Sequence, residues 1–327
     1  MTARLPVGVI GVGTLGRHHA RHLASFHGVE LVGVYDIDRR RAECVAQEFG
    51  TRAFPDLDAL LRRVEAVTIA VPTPVHAEVG LIALTAGVHV LMEKPLAATL
   101  DEADQLIAAA AARGVQLQVG HVERFNRAVR AAQPHLRDVR YFESTRLAPF
   151  QLRGTDVAVV LDLMIHDLDL VLHLTGGAPV MDVRASGVAV LTPYLDIATA
   201  RVEFTNGAVA TVTASRMARE RVRRLRMFQP NGYFSLDLAT GTGDFMRLRP
   251  DWRPGAKVNG LAELVEQVPL SSPAADALGL ELASFVQAAR GEPATVVSAA
   301  EGRAALALAL RVAEAIEASP LTRLQPS

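Results

Sequence analysis

Over the first 120 residues, short apolar runs alternate with stretches of helical spacing. Pro6–Ile10, Glu30–Tyr35, Thr51–Phe54, Ala66–Val71, His89–Met92 and Gln116–Gly120 predict six strands. Between them Arg17–Phe26, Arg39–Phe49, Asp56–Arg63, Ala77–Ala86 and Leu100–Arg113 predict helices, the last opened by a capping box, Thr99-Leu-Asp-Glu. Strands joined by helical crossovers give an α/β domain with a doubly wound parallel sheet.

After Gly120 the pattern changes. His121-Val-Glu-Arg-Phe-Asn126 leads into a helix ending near His135. Extended segments follow at Val139–Leu147, Val180–Val190, Ile197–Phe204, Ala208–Ser215, Arg224–Phe228 and Gly232–Leu238. Asn206-Gly207 marks a hairpin turn between two of them. The pattern predicts an α+β domain with a mainly antiparallel sheet, a long helix over Thr155–Leu174, and terminal helices over Pro273–Arg290 and Ser298–Ala318. The expected division is residues 1–121 and 122–327.

Half of the 327 residues are apolar, enough for a full core, and the net charge is −1. Such balance argues against nucleic acid or an anionic membrane as partner. Cys44 stands alone, so the chain can form no internal disulfide. No apolar stretch has membrane-spanning length, and Val7–Val12 is too short for a signal segment. The expectation is a soluble cytoplasmic protein.

The first predicted strand runs into Gly11-Val12-Gly13-Thr14-Leu15-Gly16 and then a helix, the dinucleotide-binding fingerprint. Gly11 permits the tight turn, Gly13 lets backbone approach a pyrophosphate, and Gly16 lets the helix pack closely. Thr14 and Leu15 complete the turn at the helix N-terminus, whose dipole and unpaired N–H groups suit phosphate. Asp36 follows the second strand, twenty residues after Gly16, where an acid binds ribose hydroxyls. Its charge repels a 2′-phosphate, so NAD is favoured over NADP. Arg39 and Arg40 pull the other way; helix solvation is their simpler role, with Arg40 kept as a candidate cofactor contact.

Val88–Pro95, Val-His-Val-Leu-Met-Glu-Lys-Pro, is the stretch the domain is organised around. It places Glu93 and Lys94 at the carboxyl edge of the sheet, where open α/β sheets bind ligands. Pro72 and Thr73 follow the fourth strand at the same edge, with His76 next; all three are candidate cofactor contacts, and for His76 a plain helix-start role is the alternative. His18 and His19 are expected to be structural.

In the second domain Asp162 and His166 lie four apart and share a helix face, continued by Asp169 and His173. A carboxylate one turn before a histidine fixes its tautomer and raises its pKa, as a general base requires. Asp167 and Asp169 are expected as caps, interface or solvated groups. Arg219, Arg221, Arg223, Arg224 and Arg226 form a cluster, and Arg146 and Arg153 flank Pro149-Phe150. Guanidinium forks suit phosphate oxygens. The histidines lack tight ligand spacing, so no metal is expected.

Taken together, Gly11-x-Gly13-x-x-Gly16, Asp36, Glu93-Lys94-Pro95 and Asp162-x-x-x-His166 resemble the Gfo/Idh/MocA oxidoreductase family over essentially the whole chain. The resemblance implies a Rossmann domain carrying NAD(P), a C-terminal domain with an open antiparallel sheet, oligomerisation through that sheet as a homodimer or homotetramer, and a cis Lys94–Pro95 bond. It assigns Lys94, His166 and Asp162 to catalysis, and Glu93 with Lys94 to the cofactor. Gly120–Asn126 and Val160–Asp167 look most like members acting on nucleotide sugars. They imply oxidation of the 3-hydroxyl of a UDP-N-acetylhexosamine, a step toward lipid A, with Arg124, Arg146, Arg224 and His166 binding substrate. Arg127 and Met164 depart from the usual Pro and Gly. The alternatives are an inositol or free-sugar dehydrogenase and a catalytically silent NAD-binding sensor.

Overall fold

Leu5–Ile10 (β1), Val29–Tyr35 (β2), Arg52–Ala53 (β3), Ala66–Ile69 (β4), His89–Glu93 (β5) and Leu117–Gly120 (β6) form a parallel sheet ordered β3-β2-β1-β4-β5-β6. The order reverses between β1 and β4, which opens a crevice at their carboxyl ends. The computed structural model describes residues 4–151, 157–253 and 260–318. Crossover helices are Thr14–Ser25 (α1), Arg39–Phe49 (α2), Leu57–Leu61 (α3), His76–Thr85 (α4) and Leu100–Arg113 (α5). Their ends are written in the sequence. Asp38 caps α2 by accepting from the Arg41 N–H, and Gly50 ends it in the left-handed region at φ 65°. Thr99 and Glu102 form the expected capping box of α5.

The second unit carries a short helix, Arg127–Ala132 (α6), flanked by 3₁₀ turns at Val122–Phe125 and Gln133–His135. The continuous helix expected through His135 is thus broken; Asn126 caps α6 by accepting from the Ala128 N–H, and Pro134 enters the last turn. Tyr141–Leu147 (β7) precedes a π-helical turn, Val160–Met164, and then Ile165–Leu174 (α7). The helix expected from Thr155 is therefore irregular at residues 157–158, and Thr155 and Arg153 lie outside the described residues.

Val180–Val188 (β8), Ile197–Phe204 (β9), Val209–Ser215 (β10), Val222–Gln229 (β11) and Gly232–Asp237 (β12) follow as expected. Thr242–Leu248 (β13), Leu261–Leu264 (α8) and Val265–Pro269 (β14) were not legible in the pattern. On β13 Phe245 alone is buried; it stacks on Phe234 at 4.3 Å, a contact that periodicity cannot reveal. The sheet order is β14-β13-β12-β11-β7-β10-β9-β8, antiparallel except for the β7–β10 pair. One face is buried through Phe142, Ala200, Val202, Ala210, Val212, Ala214, Leu225 and Met227. Small residues along β9 and β10 leave room for α7 and the π-turn, which pack on β10.

Ala277–Ala289 (α9) and Ala299–Glu317 (α10) end the described chain. Sequence reading put both in the second domain, but Asp276–Leu306 belongs to the first unit, with Met1–Val122; the second unit holds Glu123–Ala275 and the chain from Ala307. Leu282, Phe285 and Val286 of α9 join Val7, Val9, Leu23 and Val29 in one core. Removing Phe285, fully buried there, should destabilise the first unit by about 3–5 kcal/mol. Chemical denaturation of Phe285→Ala checks this; a loss below about 1 kcal/mol would place α9 outside that core.

Candidate active site

The glycine turn separates the glycines that the fold requires from one with open space above it. Gly11 has φ 80°, and a Cβ there would meet the Ala70 carbonyl oxygen at 2.8 Å. At Gly16 a Cβ would lie 1.8 Å from the Gly11 carbonyl oxygen, so no side chain can stand there. Gly13 differs: its backbone is ordinary (φ −63°), and a Cβ would meet nothing within 4 Å. It caps α1 without a side-chain hydrogen bond, so the first N–H groups of the helix are left for an anion. Thr14 is exposed and Leu15 half-buried in the first turn.

Asp36 closes this cradle from the end of β2. Its Oδ2 accepts from Val12 N–H (2.8 Å) and its Oδ1 from Asp38 N–H (2.9 Å). Arg41, which sequence reading passed over, forks both oxygens at 3.1 and 3.0 Å. Capping by Asp38 puts residue 41 in the first turn of α2, turned back toward Asp36. Arg39 pairs with Glu43 one turn on, and Arg40 is exposed. Ile37, beside Asp36, is 93% exposed, the most exposed large apolar side chain among the described residues.

At the end of β5 the Lys94–Pro95 bond is cis, and Lys94 is half-buried. Pro72 is exposed and Thr73 half-buried at the neighbouring strand end. Two of the candidates, His76 and Glu93, turn inward. His76 is buried, with Nδ1 2.8 Å from the Pro95 carbonyl oxygen and Nε2 2.9 Å from that of Val71. It clamps two loops of the sheet edge rather than facing a cofactor. Burial lowers its pKa despite both carbonyls and the charge of Glu93. Glu93 is likewise buried, its carboxylate turned to His19 and to the Lys94 N–H. His19 could have been suspected: Gly16, His19, Ala20 and Leu23 make the buried stripe of α1, an odd place for an imidazole.

In the second unit, Asp162 lies in the π-turn and His166 in the first turn of α7, both half-buried. Such π-turns recur at functional sites. Asp167 and Asp169 are neither caps nor solvated, but fully buried ion-pair partners. Arg146, 2% exposed, bonds Asp167 at 2.5 Å and Glu123 at 2.9 Å. Burial alone would lower its pKa, but the two carboxylates outweigh that and hold it charged. Arg124 forks Asp169 at 2.8 and 2.7 Å and lies 2.9 Å from His173 Nδ1. Arg124 and Arg146, expected to bind substrate, are instead tied up inside the unit.

The arginine cluster is divided by strand alternation. Arg223 turns inward toward Glu123 (3.4 Å), while Arg226 bonds Glu143 and stacks on Phe228. Arg224, on that second face, lines a groove of about 450 Å³ with Asp237 and Asp244, two carboxylates that disfavour a diphosphate. Arg219 and Arg221 are exposed.

The Gfo/Idh/MocA model of an oxidoreductase family with an NAD-binding Rossmann fold matches residues 5–121, and a Gfo/Idh/MocA C-terminal domain matches residues 128–235. UDP-N-acetylglucosamine 3-dehydrogenase of Acidithiobacillus ferrooxidans is 44% identical over 95% of this chain and 97% of its own. This chain belongs to the Gfo/Idh/MocA family. A solved structure of that relative superposes with a TM-score of 0.89, covering 97% of this chain and 99% of that one at 42% identity. Inositol 2-dehydrogenase of Rubrobacter xylanophilus is 38% identical over 51% of each chain. Levoglucosan dehydrogenase, solved in complex with NADH, shares the fold at 19% identity and a TM-score of 0.83, over 96% of this chain and 97% of that one. The family's NAD fits the first unit: open space over Gly13, an uncapped helix start, and Asp36 at the ribose position.

The two glycines separate binding from folding. Gly13→Ala should leave the thermal midpoint within about 2 °C yet weaken NAD by roughly tenfold or more, because only the cofactor needs that space. Gly16→Ala should cost about 1–3 kcal/mol or more of stability. Equal loss of stability in both would refute the distinction; thermal unfolding and fluorescence titration with NADH read it.

Proposed function

We propose that this Gfo/Idh/MocA member oxidises the 3-hydroxyl of a UDP-N-acetylhexosamine to a ketone, as a cytoplasmic enzyme supplying lipid A synthesis. The observation that carries the reading is the near full-length likeness to a UDP-N-acetylglucosamine 3-dehydrogenase at 44% identity. The glycine turn and Asp36 would hold NAD, whose nicotinamide would supply the hydride acceptor for the sugar carbon. His166 removes the hydroxyl proton, Asp162 orients it, and Lys94 stabilises the alkoxide. A well-placed donor of this kind is worth about 3–4 kcal/mol. Gly13, Thr14, Leu15 and Asp36 hold the dinucleotide, with Pro72 and Thr73 beside it and Arg40 at its adenosine end.

A second reading, a free sugar or an inositol as substrate, is favoured by one specific observation. Arg124 and Arg146 are committed to buried carboxylates, and Arg224 shares its groove with two acids. The exposed Arg219 and Arg221 are then the candidates for a diphosphate. We further propose that the sheet face bearing Tyr141, Phe228 and Tyr233, a chain of ring contacts 5.5–5.9 Å apart, covers the same face of a second copy.

NADH should form with UDP-N-acetylglucosamine at a kcat/KM at least about tenfold above that with N-acetylglucosamine, glucose or inositols; the reverse order would establish the second reading. Tight NAD binding with no turnover on any of them would favour a sensor. His166→Ala should lose about 10²–10⁴ in kcat while NAD binding survives. Lys94→Ala should behave alike, and normal turnover in either would remove its assignment. Phe228→Glu should shift the assembly to monomers in light scattering; an unchanged mass would exclude that face.

A further inference from the structure

We infer that His19 and Glu93 are a positioning pair for Lys94, holding it from beneath the sheet edge without touching substrate. The inference rests on the assignment of Lys94 to catalysis.

Glu93 is the last residue of β5 and only 7% exposed. Its Oε1 lies 3.1 Å from His19 Nε2, and its Oε2 accepts from the Lys94 N–H at 3.2 Å. The neighbouring strand is shaped to receive it. A Cβ on Gly120 would stand 3.1 Å from the carboxyl carbon and both oxygens, so the carboxylate lies flat over a residue with no side chain. His19 comes from α1, fully buried, and its Nδ1 has no hydrogen-bond partner among the described residues. In the neutral ring the Nε2–H therefore donates to Glu93, and no other bond fixes the imidazole.

Stability does not account for this arrangement. A buried imidazole with one nitrogen unsatisfied and a buried carboxylate both cost desolvation, and apolar residues of similar volume commonly do as well or better. What the pair supplies is a fixed anion one residue from Lys94. The anion anchors the backbone N–H of Lys94. Burial alone would drive Glu93 to its neutral form; the hydrogen bond from His19 and the nearby charge of Lys94 outweigh burial and lower its pKa. His76 also feels this charge and is held by backbone on both sides. His19 also stands one turn after Gly16, so the helix that cradles phosphate carries the support for the lysine.

The test compares His19→Leu, His19→Gln and Glu93→Gln with Lys94→Ala, in the full-length protein with NAD and the best sugar substrate. His19→Leu should lower kcat by about 10- to 100-fold, the usual cost of losing an orienting partner, with the sugar KM and the NAD Kd within about threefold. His19→Gln, whose amide N–H can replace Nε2–H, should recover to within about threefold of the parent. Full kcat in His19→Leu, or equal loss in His19→Gln, overturns the pair. If His19→Leu does not fold, the near-isosteric Glu93→Gln decides: loss of kcat with a preserved melting temperature supports the inference, and full kcat ends it. Active Lys94→Ala would instead overturn the lysine's assignment; inactive Lys94→Ala with active His19→Leu defeats the positioning pair alone.

Discussion

The first turn of α1 lies so close to the end of β1 that a single methyl group at Gly16 would overlap the Gly11 carbonyl oxygen. That approach sets where the helix axis starts, and so where its unpaired N–H groups point. It also fixes the phase of the helix, which turns His19 inward to meet Glu93. Gly11, at φ 80°, makes the return possible, while Asp36 ties the same turn to β2 through the Val12 N–H. The open start of α1, its tie to Asp36 and the meeting of His19 with Glu93 all follow from one steric constraint.

The second unit is governed by buried charge. Arg146 with Asp167 and Glu123, and Arg124 with Asp169, are nearly closed to solvent. Such pairs add little net stability over apolar packing, because desolvation offsets attraction, but breaking one leaves an uncompensated charge. Asp167 and Asp169 lie on α7, so the pairs bind the helix carrying His166 to β7 and to the segment before α6. A π-turn at Asp162 meets the same helix, placing the two residues of the expected general base at a change of winding.

Much of the fold was written locally. The strand–glycine–helix run from Leu5, the capping box at Thr99 and the turn at Asn206-Gly207 are short-range devices, and their outcomes match the reading of the chain. Residue identity also sufficed to name the family, since its motifs are backbone requirements and reactive groups at fixed spacing.

Tertiary structure decided everything that depends on who meets whom. Nothing in the spacing of Arg124 and Arg146 tells a ligand-binding fork from one locked onto an aspartate; the burial of Asp169 and Asp167 does. His76 and Glu93 looked like cofactor contacts by position, and only the nearby carbonyls and His19 turned them inward. Phe245 drew β13 into a sheet its own sequence barely specifies, and Phe285 carried α9 back to the first unit. The physical reason is common to all four. Local sequence sets backbone geometry, whereas the partner of a buried charge or ring is chosen by non-local packing and by the cost of leaving it unmatched.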